Sequence, residues 1–314
     1  MKLAIRSVAV MLFAGAAQAD TPAPIVNAGR AEAIEISSSS AMAVAEDYLV
    51  LPDGAEVAGS LRTITADGGL GSGRIALTDV ALFDAHLVWA IARRYELDAT
   101  ASVLAKQPSA TSEDILQGGS LTLRRAFNAS VALAVSAGAS PLIDLRGLAY
   151  DGSLFASYKK RLSRYCAFLL AVGGDTTVVR ATNAIDTAAE VEGAAHADVL
   201  VRADDVWGGW LGAGYAIPAY HHGHDPVSEM PLDPQPRLDV DFGTSVQLND
   251  DWYLSADLTI MDRGDLANPA TRLPILDGGF DQIQIMVEIT RRIRGHAERD
   301  RYRDDGVNQP PLQL

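Results

Sequence analysis

Apolar and polar residues alternate along much of the chain between residues 54 and 293, with the period of two that is typical of β-strands. The stretch "VQLNDDWYLSADLTI" illustrates the pattern. Its second half has apolar residues at Trp252, Leu254, Ala256, Leu258 and Ile260, and polar ones at Tyr253, Ser255, Asp257 and Thr259. Asn249-Asp250-Asp251 precedes this half and is typical of a tight turn. The stretch therefore predicts an antiparallel hairpin.

The same pattern predicts twelve strands in all. They cover about 54–66, 75–92, 95–105, 116–126, 129–139, 148–159, 164–174, 186–202, 206–218, the pair around Asn249, and 281–293. The seventh segment contains "AFLLAV", which also fits a short helix. Connections after even-numbered strands are about two to five residues long, and those after odd-numbered strands about eight to eighteen. An even number of strands with short turns at one end and long loops at the other is typical of outer-membrane barrels.

The tryptophans follow the same layout. Trp89, Trp207, Trp210 and Trp252 each lie within about five residues of a predicted short turn. Amphipathic rings form girdles where a barrel crosses the membrane–water interface. We therefore expect all four tryptophans to be interface aromatics.

Alternation alone does not decide which face meets water, because a soluble barrel would bury its apolar face and a membrane barrel its polar face. The N-terminus favours the membrane. Residues 1–19 have a positive start, an apolar stretch and the small-x-small site Ala17-Gln18-Ala19, which together predict a secretory signal peptide. The fold class expected is an all-β, antiparallel, up-and-down transmembrane β-barrel of about twelve strands, located in the cell outer membrane.

Four regions are predicted along the chain. Residues 1–19 form the signal peptide, and residues 20–53 an N-terminal periplasmic segment and linker that contains "SSSS". Residues 54–293 form the barrel. Residues 294–314 are charged and then Pro-rich, which predicts a disordered C-terminal tail.

The net charge of the chain limits the classes of binding partner that are expected. A net charge of −14 and a pI of about 4.8 argue against nucleic acid. The expected partners are outer-membrane lipid, the barrel-assembly machinery during biogenesis, and small ions or solutes. Cys166 is the single cysteine, so no internal disulfide forms. No cofactor is expected.

On the predicted register the inside of the barrel is acidic. The lumen-lining acidic residues are Glu96, Asp98, Glu190, Glu192, Asp198, Asp239, Asp241, Asp257 and Glu288, and the basic ones are Arg124 and Lys159. Carboxylates confined between low-dielectric walls enrich cations. Barrels of eight strands are filled by side chains, whereas barrels of sixteen hold a water channel. Twelve strands fall between these sizes. The sequence is therefore compatible both with a narrow, cation-preferring, porin-like channel and with a filled structural surface barrel.

Histidines suggest two further chemistries. His221, His222 and His224 lie close together in the predicted ninth-to-tenth loop and could bind a metal ion. His86 and His196 lie on predicted strands, where a barrel-embedded hydrolase acting on lipid or peptide could use either as a base. A third hypothesis is a soluble periplasmic β-barrel that binds a ligand.

Three segments carry a family resemblance: "LTDVALFDAHL" (77–87), "LAKQPSATSEDILQGGSLTLRRAF" (104–127) and "LDGGFDQIQIMVEITRRI" (276–293). On these segments the chain resembles small, porin-like outer-membrane β-barrel proteins of Gram-negative bacteria whose activity is uncharacterised. The resemblance covers most of residues 54–293 and implies a location and a fold. Many such barrels end on a strand with a terminal aromatic residue, whereas twenty-one residues follow Ile293 here.

Overall fold

The structure is a computed structural model that describes Leu51 and residues 54–66, 80–92, 94–106, 116–141, 147–181, 187–203, 206–224, 236–262 and 282–295. The predicted signal peptide lies outside these residues. So do nearly all of the predicted linker and of the C-terminal tail, and these remain predictions. No helix among the described residues is long and apolar enough to span a membrane.

Twelve antiparallel strands close into one barrel, which confirms the predicted fold class. Each strand pairs with its neighbours in the chain, and β1 pairs with β12. The strands are β1 (Ala55–Ala66), β2 (Val80–Ala92), β3 (Tyr95–Lys106), β4 (Leu116–Ala126), β5 (Val131–Pro141), β6 (Gly147–Ser163), β7 (Cys166–Ala181), β8 (Ala188–Arg202), β9 (Trp207–His222), β10 (Arg237–Gln247), β11 (Trp252–Asp262) and β12 (Gln282–Ile293).

The inside of the barrel is polar and the outside is apolar. Leu61, Phe83 and Leu121 on the outer face are 41%, 54% and 56% exposed. Glu192 and Asp198 on the inner face are 3% and 1% exposed. A water-soluble barrel has the reverse arrangement, because burial of carboxylates and exposure of leucine both carry a free-energy cost in water.

Asparagine side chains set two of the short turns. Asn128 Oδ1 accepts hydrogen bonds from the backbone N–H groups of Ser130 and Val131, at 2.8 and 2.9 Å. Asn249 Oδ1 does the same for Asp251 and Trp252, at 3.0 and 3.1 Å. An Asn that bonds the backbone two and three residues ahead stabilises a turn, so the hairpin predicted around Asn249 forms for the expected reason.

Several strands extend further than the pattern predicts, and β6 and β7 do so by the most, to Ser163 and Ala181. Because β5 ends at Pro141, β6 begins at Gly147 and β7 ends at Ala181, the connections before β6 (142–146) and after β7 (182–187) are shorter than expected. "AFLLAV" lies within β7 and is not helical. The β-branched run Thr176-Thr177-Val178-Val179 favours continued pairing, because such side chains fit a pleated surface well.

Candidate functional site in the barrel lumen

All nine predicted acidic residues occupy inward-facing positions of their strands, and so do Arg124 and Lys159. The sequence analysis missed other charged residues on the inner face, including Glu56, Asp84, Arg62, Arg237 and Arg292, although the same alternation places them there. Among the described residues, eight carboxylate side chains are buried, compared with three Lys or Arg side chains. The acids are Glu56, Glu96, Asp98, Asp151, Glu190, Glu192, Asp198 and Glu288, and the bases are Lys159, Arg237 and Arg292. The lumen wall is therefore acidic.

One group, the His86 cluster, consists of His86, Glu96, Asp98 and Arg124 on the adjacent strands β2, β3 and β4. His86 Nε2 is hydrogen-bonded to Asp98 Oδ1. Arg124 donates to Glu96 Oε1 at 2.7 Å and lies 3.5 Å from Asp98 Oδ2. The buried carboxylates of this cluster thus have a guanidinium beside them, which offsets the cost of removing them from water.

The His86 cluster also contacts the segment that precedes the barrel. The backbone N–H of Leu51 donates to Glu96 Oε2 at 2.5 Å, and Leu51 is itself buried. Glu96 is the second residue of β3, beside the short turn that follows β2. The end of the predicted linker therefore packs against the inner wall at the short-turn end.

A second group, the His196 cluster, consists of His196 and Asp198 on β8 and Asp239 and Asp241 on β10. His196 Nδ1 lies 3.0 Å from Asp239 Oδ2. Its Nε2 lies 2.9 Å from Asp198 Oδ1 and 3.1 Å from Asp241 Oδ1. One imidazole ring is thus surrounded by three carboxylates.

Strand β9 lies between β8 and β10, and two glycines allow the cluster to form across it. Gly214 pairs with His196 on one side and Asp239 on the other, while Gly212 pairs with Asp198 and Asp241. A Cβ atom at Gly212 would clash with all three donor atoms of His196, Asp198 and Asp241, and one at Gly214 would clash with Asp239 and His196. The absence of side chains at these positions is what lets the four polar groups meet.

Two carboxylate oxygens of this cluster have no hydrogen-bond donor among the described residues. They are Asp198 Oδ2 and Asp241 Oδ1, and both are buried. Arg237 lies at the edge of the cluster, 3.9 Å from Asp239 Oδ1 and 3.7 Å from Glu192 Oε2. A buried carboxylate oxygen without a donor costs about 1–3 kcal/mol or more, so the cluster is short of positive partners.

Trp210 is not an interface aromatic, contrary to the prediction. It points into the lumen, is 7% exposed, packs with Ala167 and Leu200, and donates from Nε1 to Asp257 Oδ2 at 3.1 Å. Its ring lies over Gly243 of β10, where a Cβ would clash with the indole. Trp207 and Trp210 are three residues apart on one strand and therefore face opposite sides. This spacing was the sequence signal that could have located Trp210.

The other three tryptophans face outward near the short turns. Trp89 and Trp207 are 52% and 43% exposed. Trp252 opens β11 on the outer face, with the Arg291 guanidinium 5.6 Å from its ring centroid. Arg125 lies in the same way over Tyr95 and Phe127, and Arg164 over Tyr165. The outer face at the short-turn end thus has a band of aromatic rings with guanidinium groups against them.

His221 and His222 do not lie in a loop, contrary to the prediction. They are the last two residues of β9 and pair with Glu190 and Ala189, and both are exposed. A bulge between Val191 and Glu192 in this pairing accommodates Pro218, which has no N–H to donate, and the strand then continues. His224 follows as a single bridge residue. Among the described residues, the group whose spacing suits a metal ion is instead His196, Asp198 and Asp241.

Comparison with known proteins supports the fold. No protein-family model matches the chain, and no curated protein matches it in sequence. The structure is similar to the translocator domain of the autotransporter NalP from Neisseria meningitidis, with a TM-score of 0.51 and 12% identity over 80% of this chain and 92% of that one. It also resembles the COG4313 outer membrane channel from Pseudomonas putida F1, with a TM-score of 0.48 and 15% identity over 79% and 98% of the two chains. A third is the CymD monoaromatic hydrocarbon channel, with a TM-score of 0.46 and 11% identity over 87% and 95%. The fold is that of outer-membrane β-barrels.

Proposed function

We propose that this protein is an outer-membrane barrel whose acidic lumen is a narrow, cation-preferring channel. Membrane insertion is supported by the outer face, where large apolar side chains are exposed around the barrel. Lipid solvates such a surface without cost, whereas water does not. The band of outward aromatic rings and guanidinium groups at the short-turn end suits the interface, because it offers both apolar surface and cationic contacts to lipid headgroups.

Arginine substitutions at two depths test the membrane assignment. Val287 is 42% exposed on the outer face and pairs with Leu61 and Ala256. We expect Val287→Arg to lower the free energy of unfolding in lipid by about 2–4 kcal/mol. Ile293→Arg, on the same face at the end of the same strand, should cost only about 0–1 kcal/mol. If Val287 faces water, its substitution will change stability by less than about 0.5 kcal/mol, and the membrane assignment is wrong.

The cation preference rests on one observation, the excess of buried carboxylates over Lys and Arg on the inner wall. An excess of one charge sign between low-dielectric walls attracts counter-ions of the other. Among the described acids, Asp239, Asp241 and Asp257 lie on the neighbouring strands β10 and β11. Each side chain is partly exposed, so each can act on an ion in the lumen.

The reversal potential of the refolded protein in a planar bilayer with a salt gradient measures this preference. We expect the wild type to pass cations over anions and the triple variant Asp239→Asn, Asp241→Asn, Asp257→Asn to lose most of that selectivity. The double variant Asp250→Asn, Asp251→Asn removes carboxylates from the short turn between β10 and β11, away from the inner wall. It should leave the reversal potential unchanged. Anion preference in the wild type would refute the proposal.

A closed structural barrel is the second candidate, and two observations favour it. Many inward side chains are buried, and Leu51 occupies space against Glu96 at the short-turn end. Side chains that fill a lumen stiffen the barrel and block water. Absence of conductance from refolded wild type would favour this candidate, and conductance that appears on deletion of residues 20–53 would identify the linker as the block.

A further inference from the structure

We propose that the His196 cluster is a binding site for one divalent transition-metal ion, represented here by Zn²⁺. His196 Nε2, Asp198 Oδ1 and Asp241 Oδ1 are the ligands, and Asp239 is a positioning residue. The site lies on the inner wall of the barrel, and Zn²⁺ binding to it can be measured whether or not the lumen conducts ions.

The three donor atoms have the separation of ligands that share an ion. Nε2 lies 2.9 Å from Asp198 Oδ1 and 3.1 Å from Asp241 Oδ1, and all three donor atoms are within 4.8 Å of one another. Bonds of about 2.0–2.2 Å to nitrogen and oxygen place neighbouring ligands roughly 3 Å apart when they meet near a right angle. The donor atoms also converge in space, because a Cβ at Gly212 would meet all three of them.

Asp239 completes the arrangement from the other side of the ring. Its Oδ2 lies 3.0 Å from His196 Nδ1. A histidine that binds a metal commonly donates its second ring N–H to a carboxylate, which fixes the tautomer and the ring orientation. With Nδ1–H held by Asp239, the lone pair of Nε2 points to the side where Asp198 and Asp241 lie.

Two buried carboxylate oxygens, Asp198 Oδ2 and the proposed ligand atom Asp241 Oδ1, have no hydrogen-bond donor among the described residues, and this is the independent observation that points to a cation ligand. Asp198 is 1% exposed. The side chains of His196 and Asp241 are 14% and 13% exposed, so the site is within reach of the lumen. A dication bound there would neutralise the charge that three closely spaced carboxylates leave uncompensated.

The ligand types select the class of ion. Imidazole suits zinc, copper, iron and nickel, whereas magnesium and calcium prefer oxygen ligands alone. A ligand set of one imidazole and two carboxylates therefore favours Zn²⁺ over Mg²⁺. In the alternative, His196 is an imidazolium that forms ion pairs with the three aspartates, and no metal binds.

Titration calorimetry of the refolded full chain with Zn²⁺ distinguishes these cases. Every variant carries His221→Ala, His222→Ala and His224→Ala, so that the histidines at and just after the end of β9 do not contribute. We expect about one Zn²⁺ per chain in this background, and at least a tenfold higher Kd in His196→Ala, Asp198→Asn and Asp241→Asn. Asp239→Asn should keep the site with a Kd about 10–100-fold higher. Mg²⁺ should not compete.

Two glycine variants separate the site from general effects on the fold. Gly212→Ala retains every ligand but fills the space where they converge, so Zn²⁺ binding should be lost. Gly193→Ala on β8 adds a methyl group where nothing lies within 4 Å, and binding should be unchanged. Folding of each variant is checked by the heat-dependent shift in electrophoretic mobility, and the Tm of the parent with Zn²⁺ should exceed that with Mg²⁺. The proposal is overturned if the parent binds no Zn²⁺, if Mg²⁺ binds as tightly, or if the folded ligand variants and Gly212→Ala bind as the parent does.

Discussion

The His86 and His196 clusters place the same residue type against lumen carboxylates in two different ways. In the His86 cluster, on three adjacent strands, Arg124 lies beside both Glu96 and Asp98, and the imidazole of His86 is hydrogen-bonded to Asp98. In the His196 cluster, three carboxylates surround one imidazole, and the Arg237 guanidinium lies 3.9 Å from Asp239 Oδ1. In the first cluster a guanidinium lies within 3.5 Å of both carboxylates, whereas in the second two buried carboxylate oxygens have no hydrogen-bond donor among the described residues.

The two clusters of the inner wall are therefore stabilised in different ways. Ion pairs hold the His86 cluster together, so it stiffens the barrel without a bound partner. The His196 cluster exists because Gly212 and Gly214 leave space for polar groups from β8 and β10 to meet across β9. A transition-metal ion bound between its ligands would lower the free energy of this cluster. The first cluster therefore has a structural role, and the second is suited to binding.

The largest difference in the free energy of unfolding between variants of the two clusters should follow from removal of one charged side chain in each. Arg124→Ala leaves Glu96 and Asp98 buried without their guanidinium, and we expect the free energy of unfolding to fall by about 3–5 kcal/mol. Asp198→Asn removes one of three crowded carboxylates and should change stability by less than about 1 kcal/mol. Urea unfolding in lipid, followed by tryptophan fluorescence, measures both. Equal losses would mean that the clusters do not differ in charge balance.

A smaller loss in the free energy of unfolding is expected when a methyl group fills the space inside the His196 cluster. Gly212→Ala should cost about 1–3 kcal/mol, because the methyl group displaces His196, Asp198 and Asp241. Gly193→Ala on the neighbouring strand should cost nothing measurable or stabilise slightly, since its Cβ position is open. The same unfolding assay applies. Similar costs at the two glycines would show that the space over Gly212 is not filled by the cluster.

The smallest effect should come from histidines outside both clusters. His221 and His222 are exposed at the end of β9, so the double variant His221→Ala, His222→Ala should change the free energy of unfolding by less than about 0.5 kcal/mol. His86→Ala should cost several times more, because it removes one of the two partners that the buried Asp98 has in the His86 cluster. A large loss in the double variant would refute the assignment of these residues to the solvated strand end.

Errors in the sequence analysis have specific causes. Trp210 was assigned by its distance from a turn, although the alternation that defines the strand already puts it on the opposite face from Trp207. His221 and His222 were assigned to a loop because the ninth strand was predicted to end at residue 218. The bulge beside Glu192 lets the pairing continue past that proline. The first error could have been avoided from the sequence, and the second depended on the partner strand.

The number of strands and the charged residues that share a face within each strand followed from the sequence alone, because period-two alternation is a local property of the chain. The sequence also determined that the inner face is acidic. The tertiary structure was needed to show which residues of different strands lie beside one another. These contacts depend on the register of each strand pair and on closure of the barrel. His196 and Asp239 are 43 residues apart and meet only because Gly214 lies between them in the closed sheet. Leu51 and Glu96, 45 residues apart, meet by the same long-range geometry.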